Sequence, residues 1–395
     1  MVGIGADGQA GLSAEARAAV DAAEVLIGSA RQLALVDCAA TKIAWPSPMV
    51  PAIPGLLAEH AGRRVCVLAS GDPMFFGVGS VLARLLGPSA LRVIPQVSSV
   101  SLACARLGWP VEEVEVVSLV GRSLHTLRLA VRPDRRLLVL SATGSTPADV
   151  ARLLREQGFG PSAMTVFEEL GGPGERRRGG TATSWRPQPA GALNLVAVHC
   201  RPGADAMVRG RAPGLPDRSY DNDGQLTKRE VRAVTLAVLA PLPGELLWDV
   251  GAGSGSIGIE WMRTDRACRA IAVEPVAERA ARIAGNAASL GVPDLRVVEG
   301  AAPAALADLP TPDAIFIGGG LTADGVLDFC WSALSPGGRL VANAVTLDSE
   351  AVLADWHRAV GGTLTRIEIS RASPLGSFTG WRPMMPVTQW TATHP

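Results

Sequence analysis

Short apolar runs alternate with amphipathic stretches along nearly the whole chain, the rhythm of α/β domains rather than of an all-helical or all-strand protein. In the first half, strand-type runs fall at 65–69, 91–94, 114–118, 137–141, 164–168 and 193–199. Helical periodicity falls at 14–23, 79–86, 99–107 and 146–157. The second half opens with a helix near 228–240. Strands at 246–250, 270–274, 295–298, 314–317 and 340–343 follow, separated by helices, with two further strand-like runs at 363–370 and 386–391. Between about 200 and 220 the pattern lapses into Arg201-Pro202-Gly203, Pro213-Gly214, Pro216 and Asp221-Asn222-Asp223-Gly224, which predicts a linker. The expected organisation is a domain at 1–200, a linker at 201–217 and a second domain at 218–395.

At 395 residues the chain has length for two domains. Lys+Arg and Asp+Glu are 37 each, and this zero net charge removes the electrostatic case for nucleic-acid or membrane-surface binding. No apolar run reaches ~18 residues and no signal peptide precedes the first strand, so a soluble cytoplasmic protein is expected. The six cysteines are far apart and the five histidines lack metal-ligand spacing, so neither a disulfide framework nor a metal is expected.

The strongest chemical signal is strand 246–250 running into Gly251-Ala252-Gly253-Ser254-Gly255. Alternate glycines at a strand-to-helix turn let backbone N–H groups approach a ligand. The overlapping Gly253–Gly258 string also fits the dinucleotide pattern, so a nicotinamide-dependent oxidoreductase is one reading. Glu274 ends the next strand, 25 residues after Asp249, where a carboxylate can accept bonds from ribose hydroxyls. Ala301-Ala302 follows the third strand with small side chains suited to packing on an adenine, and Pro336-Gly337-Gly338 turns into the fifth strand. With the D-x-G-x-G motif, these features resemble a class I S-adenosylmethionine methyltransferase core. Upstream, Thr227-Lys228-Arg229-Glu230 predicts a capping box whose helix start also borders the cofactor pocket.

In the first half, Ser70-Gly71-Asp72-Pro73-Met74-Phe75-Phe76-Gly77 directly follows a strand, and Pro95-Gln96-Val97-Ser98-Ser99 precedes a helix. With Glu168-Glu169-Leu170-Gly171, these motifs resemble the tetrapyrrole methylase family, the class III methyltransferases. That resemblance implies a cofactor folded in a cleft between two subdomains, near Gly71, Asp72, Phe75, Ser98, Ser99 and Leu170. It also implies that the early glycine loop containing Gly5 faces the substrate. The first strand is short, because only Met1 and Val2 precede Gly3.

The fused pair resembles the decarboxylating precorrin C5,15-methyltransferases of cobalamin biosynthesis. It implies two S-adenosylmethionine sites per chain, no metal, a precorrin-6 type tetrapyrrole substrate and a precorrin-8 product. The N-terminal part would methylate C5; the C-terminal part would methylate C15 and decarboxylate the ring C acetate. Homo-oligomers are implied as well. A polycarboxylate substrate points to arginines, with Arg122 and Arg371 as candidates; the sequence names no general acid, and His125 is a candidate to face the substrate. The run Arg176-Arg177-Arg178 reads as a solvated loop. A cofactor sensor that binds but does not react is a further alternative.

Overall fold

The computed structural model describes all 395 residues, in two compact units: residues 1–124 with 130–207, and 125–129 with 208–395.

The first unit holds two sheets. β1 (Val2–Ile4), β2 (Val25–Gly28), β3 (Thr41–Ala44) and β4 (Val65–Ser70) form a parallel sheet in the order β1-β4-β2-β3. β5 (Val114–Ser118), β6 (Arg136–Leu140), β7 (Ala163–Glu168), β8 (Arg176–Thr181) and β9 (Asn194–His199) form the second, in the order β5-β6-β9-β7-β8. Inner strands β2 and β4 are apolar because helices cover both faces, giving separate clusters around Leu26 and Leu68 and around Val25, Ile27 and Val67. The three-residue β1 is held by β4 on one side and by one bridge from Val2 to Ile94 on the other. Of the expected strand 91–94, only Ile94 makes this bridge, since so short an edge gives a neighbour nothing more to pair with.

The expected solvated loop at 176–178 is instead the start of edge strand β8. Arg176 and Arg178 reach back to Glu168 at 3.1 and 3.5 Å, and Arg177 lies over the Phe167 ring. A charged run suits an exposed edge, where it discourages pairing with another chain.

The second unit is built on β10 (Leu246–Val250), β11 (Arg269–Glu274), β12 (Arg296–Glu299), β13 (Ala314–Ile317), β14 (Arg339–Ala344), β15 (Thr363–Ile367) and β18 (Val387–Thr393). β16 (Ser370–Leu375) and β17 (Phe378–Pro383) make a separate hairpin. The sheet order β12-β11-β10-β13-β14-β18-β15 reverses beside β10, and only β18 pairs antiparallel. Alternation along β10 sends Leu246, Trp248 and Val250 into one core and Leu247 into the opposite one. The run expected at 363–370 splits into β15 and the start of the hairpin.

The segment expected to link the halves is divided between them. Residues to Met207 pack with the first unit, whereas Leu215 is buried in the core of the second. No helix is long and apolar enough to cross a membrane.

Candidate functional site

In the first unit, a cleft of about 390 Å³ is lined by Gly5, Gly71, Asp72, Phe75, Ser98, Ser99 and Leu170, all seven of the positions singled out there as cofactor or glycine-loop residues. Close backbone packing brings them together. Gly71 has φ +60°, its N–H donates to the Ile4 carbonyl at 3.0 Å, and a Cβ there would lie 3.1 Å from the Ser98 Cα. The loop after β4 and the loop before the Ser99–Leu107 helix are therefore in contact. Asp72 lines the cleft, and its Oδ1 accepts from the Met74 N–H at 2.8 Å in an Asx turn. Ser98 Oγ caps its helix, accepting from the Ser101 N–H at 3.1 Å. Phe75 and Phe76 stack edge to face with centroids 5.0 Å apart, and the Arg122 guanidinium lies 5.6 Å from the Phe76 ring centre. Arg122 thus lies against a ring that lines the cleft and does not itself line it.

In the second unit, the glycine loop occupies the end of β10, where the strand order reverses and α/β sheets open a crevice. Gly251 has φ +67°, and a Cβ there would meet the Gly319 Cα at 2.6 Å, so glycines on two loops permit one close approach. The Gly253 N–H donates to Glu274 Oε2 at 2.8 Å and the Val276 N–H to Oε1 at 3.1 Å. Glu274 is buried and fixed at the strand end, with lone pairs left for a ligand hydroxyl. The Gly300 N–H donates to the Glu274 carbonyl, bringing Ala301 and Ala302 alongside. A Cβ on Gly253 would lie 3.1 Å from the Gln225 carbonyl oxygen, so the 225–227 segment borders the loop.

Beneath the loop, Asp249 Oδ2 accepts from the Gly258 N–H at 2.8 Å. Its Oδ1 and the Ser254 hydroxyl are buried without a partner. These polar atoms under a glycine cradle fit a polar ligand with ribose hydroxyls, and S-adenosylmethionine carries such a ribose. Gly258 itself lies inside the Ser256–Thr264 helix and packs against Asp249, a role in packing the helix onto the strand.

One expectation, the capping box, needs correction, and the surroundings of Arg371 and His125 differ from those of a free cleft residue. The helix Arg229–Leu239 begins after Lys228, with no side-chain cap, so the capping box does not form. The Thr227 carbonyl instead accepts from Arg232, and Glu230 binds Arg371 at 2.5 Å. Arg371 also lies 3.5 Å from Asp217, so its guanidinium is already committed to two carboxylates of this chain. His125 does not line the first unit's cleft; its Nδ1 accepts from Arg128 Nε at 3.3 Å. Sequence reasoning also missed Arg31, the one arginine that lines the cleft. A lone arginine on the five-residue helix Ala30–Ala34 carries no periodic or motif signal.

The family described as Tetrapyrrole (Corrin/Porphyrin) Methylases matches residues 1–184, and the precorrin methyltransferase domain matches 218–394. A Sinorhizobium protein named precorrin-6Y C(5,15)-methyltransferase [decarboxylating] is 50% identical over 395 residues, covering 100% of this chain and 95% of that one. A cobalt-precorrin-7 C(5)-methyltransferase of Salmonella typhimurium is 30% identical over 45% of this chain and 87% of its own. A probable cobalt-precorrin-6B C(15)-methyltransferase (decarboxylating) of Pyrobaculum calidifontis is 35% identical over 46% of this chain and 95% of its own. The chain belongs to the precorrin-6Y C(5,15)-methyltransferase (decarboxylating) family.

Proposed function

We propose that the chain is a bifunctional enzyme of cobalamin biosynthesis: residues 1–200 methylate C5 of a precorrin-6 type tetrapyrrole, and residues 218–395 methylate C15 and decarboxylate the ring C acetate. The observation that carries this reading is the convergence of Gly5, Gly71, Asp72, Phe75, Ser98, Ser99 and Leu170 on one cleft. Each unit takes one S-adenosylmethionine, neither takes a metal, and the enzyme works in the cytoplasm as a homo-oligomer. The existence of relatives named for the C5 and the C15 step separately, each matching under half of the chain, supports one activity per unit.

The cofactor supplies a sulfonium methyl group that is already electrophilic, so the protein's task is placement more than bond activation. In the first unit, the loop around Gly71 and Asp72 and the Ser98-Ser99 turn hold the donor, while the phenylalanines at the mouth limit water. In the second, Glu274 and the close-packed glycine loop Gly251–Gly255 hold it, with Ala301 and Ala302 against the adenine and Thr227 at the border.

Calorimetric titration of the full chain with S-adenosylhomocysteine tests this. Two sites per chain are expected, and a titration with nicotinamide dinucleotides should give none. Binding of the dinucleotide in place of S-adenosylhomocysteine would overturn the reading.

A further inference from the structure

Arginines of the first unit are mostly engaged at the surface with carboxylates of the chain, as in Arg64–Glu24, Arg92–Glu15, Arg106–Glu175 and Arg136–Glu113. Arg31 is different. It is half-buried in the cleft wall, and its Nη2 donates to Ser70 Oγ at 2.9 Å, a neutral acceptor. Gln32 Nε2 donates to the same hydroxyl at 3.0 Å, while its Oε1 accepts from the Ser29 N–H at 2.7 Å in a capping box. The guanidinium is thus held by Ser70, the residue immediately before the Gly71-Asp72-Pro73 loop. Burial pulls its proton affinity down, opposed by the charge of Glu169, which makes no ion pair with it. A guanidinium has five N–H donors in a planar fork, and this one uses few of them within the chain.

Four exposed large apolar side chains, Phe75, Phe76, Val97 and Val120, line the open cleft together with the polar Ser70, Asp72 and Ser99. An exposed apolar rim beside one desolvated cation matches a flat apolar ligand with a carboxylate at its edge. We infer that Arg31 is a substrate-binding residue that receives a peripheral carboxylate of the tetrapyrrole in the first unit's cleft. The inference rests on the methyltransferase reading. The same chemistry is present in the amino-acid carboxylate of the methyl donor, and the two sources separate experimentally. The broad apolar rim favours the macrocycle, because an amino-acid tail offers no flat face to cover it.

The test uses full-length Arg31→Gln and Arg31→Lys. Equilibrium binding of the precorrin substrate without methyl donor, KM and kcat for C5 methylation, and calorimetric affinity for S-adenosylhomocysteine are measured on each. Arg31→Gln should weaken tetrapyrrole binding and raise its C5 KM tenfold or more, leaving kcat and S-adenosylhomocysteine affinity within about twofold. Arg31→Lys, which keeps charge but not the fork, should recover part of the loss. C15 methylation in the same chains should be unchanged. Unaltered tetrapyrrole binding in Arg31→Gln overturns the inference, and so does a tenfold loss confined to S-adenosylhomocysteine. If the wild-type chain neither binds nor methylates a precorrin, the functional reading falls first, and that outcome is distinct from either.

Discussion

At Asp249 one carboxylate oxygen accepts the Gly258 N–H and the other has no partner, in surroundings with no access to water. Burial pushes its carboxyl up to about 7; the Gly258 bond opposes this and the Glu274 charge adds to it. A group whose pKa is higher folded than unfolded binds more protons in the folded state between the two values. Its contribution is therefore most favourable below about pH 4 and is lost as pH rises to about 7. Asn at 249 keeps an acceptor for Gly258 without the charge. Asp249→Asn should thus match the wild type near pH 4 and exceed it above pH 7, by at most about 4 kcal/mol for the second unit. Melting temperatures of both proteins from pH 4 to 8 check this, and a difference that does not change with pH would contradict it.

The helix Ser256–Thr264 carries another buried acid, and here both oxygens have partners. Glu260 Oε1 accepts from Arg232 Nε at 2.6 Å, the Tyr220 hydroxyl at 2.7 Å and the Leu215 N–H at 3.0 Å; Oε2 accepts from the Gly214 N–H at 2.6 Å. Arg232, fully buried, also donates to the carbonyls of Leu215 and Thr227 and lies over the Tyr220 ring. This network fastens the 214–227 segment to two helices. Glu260→Ala removes the nearer counter-charge of a buried guanidinium, leaving only Asp217 at 3.4 Å, and should cost about 3–5 kcal/mol. Scanning calorimetry should show the second unit's transition falling while the first unit's stays in place.

Elements with strong patterns were legible in the sequence: helix 99–107 and strands 114–118, 246–250 and 314–317 have the expected bounds. What escaped depends on tertiary contact. The Pro- and Gly-rich 213–216 stretch carries no periodicity, yet Glu260, 45 residues away from Leu215, makes it core. The arginine run at 176–178 becomes a strand only because β7 offers an edge and Glu168 a counter-charge. In the candidate site, the glycine and G-D-P motifs were visible because backbone geometry writes itself into glycine spacing. Arg31 was not, because a single side chain turned into a cleft leaves no pattern.

For the molecule as a whole, the unit boundary near 207–208 has a practical counterpart. Residues 208–395 expressed alone should fold and bind S-adenosylhomocysteine, whereas 218–395 lacks the Gly214 and Leu215 N–H groups that Glu260 needs and should melt lower. Thermal melts of the two fragments side by side would decide it; equal stability would mean the segment is dispensable. The six thiols present a further whole-chain feature. None is paired, five are buried, Cys200 and Cys330 are pushed up to about 12 by burial, and Cys38 alone is partly exposed. An electrophilic dye added to the folded protein therefore finds one attachment point, at Cys38 on the first unit. The native sequence comes with its own single-site label, and a fluorescent reporter can be placed on one half of the chain without removing a cysteine from the other.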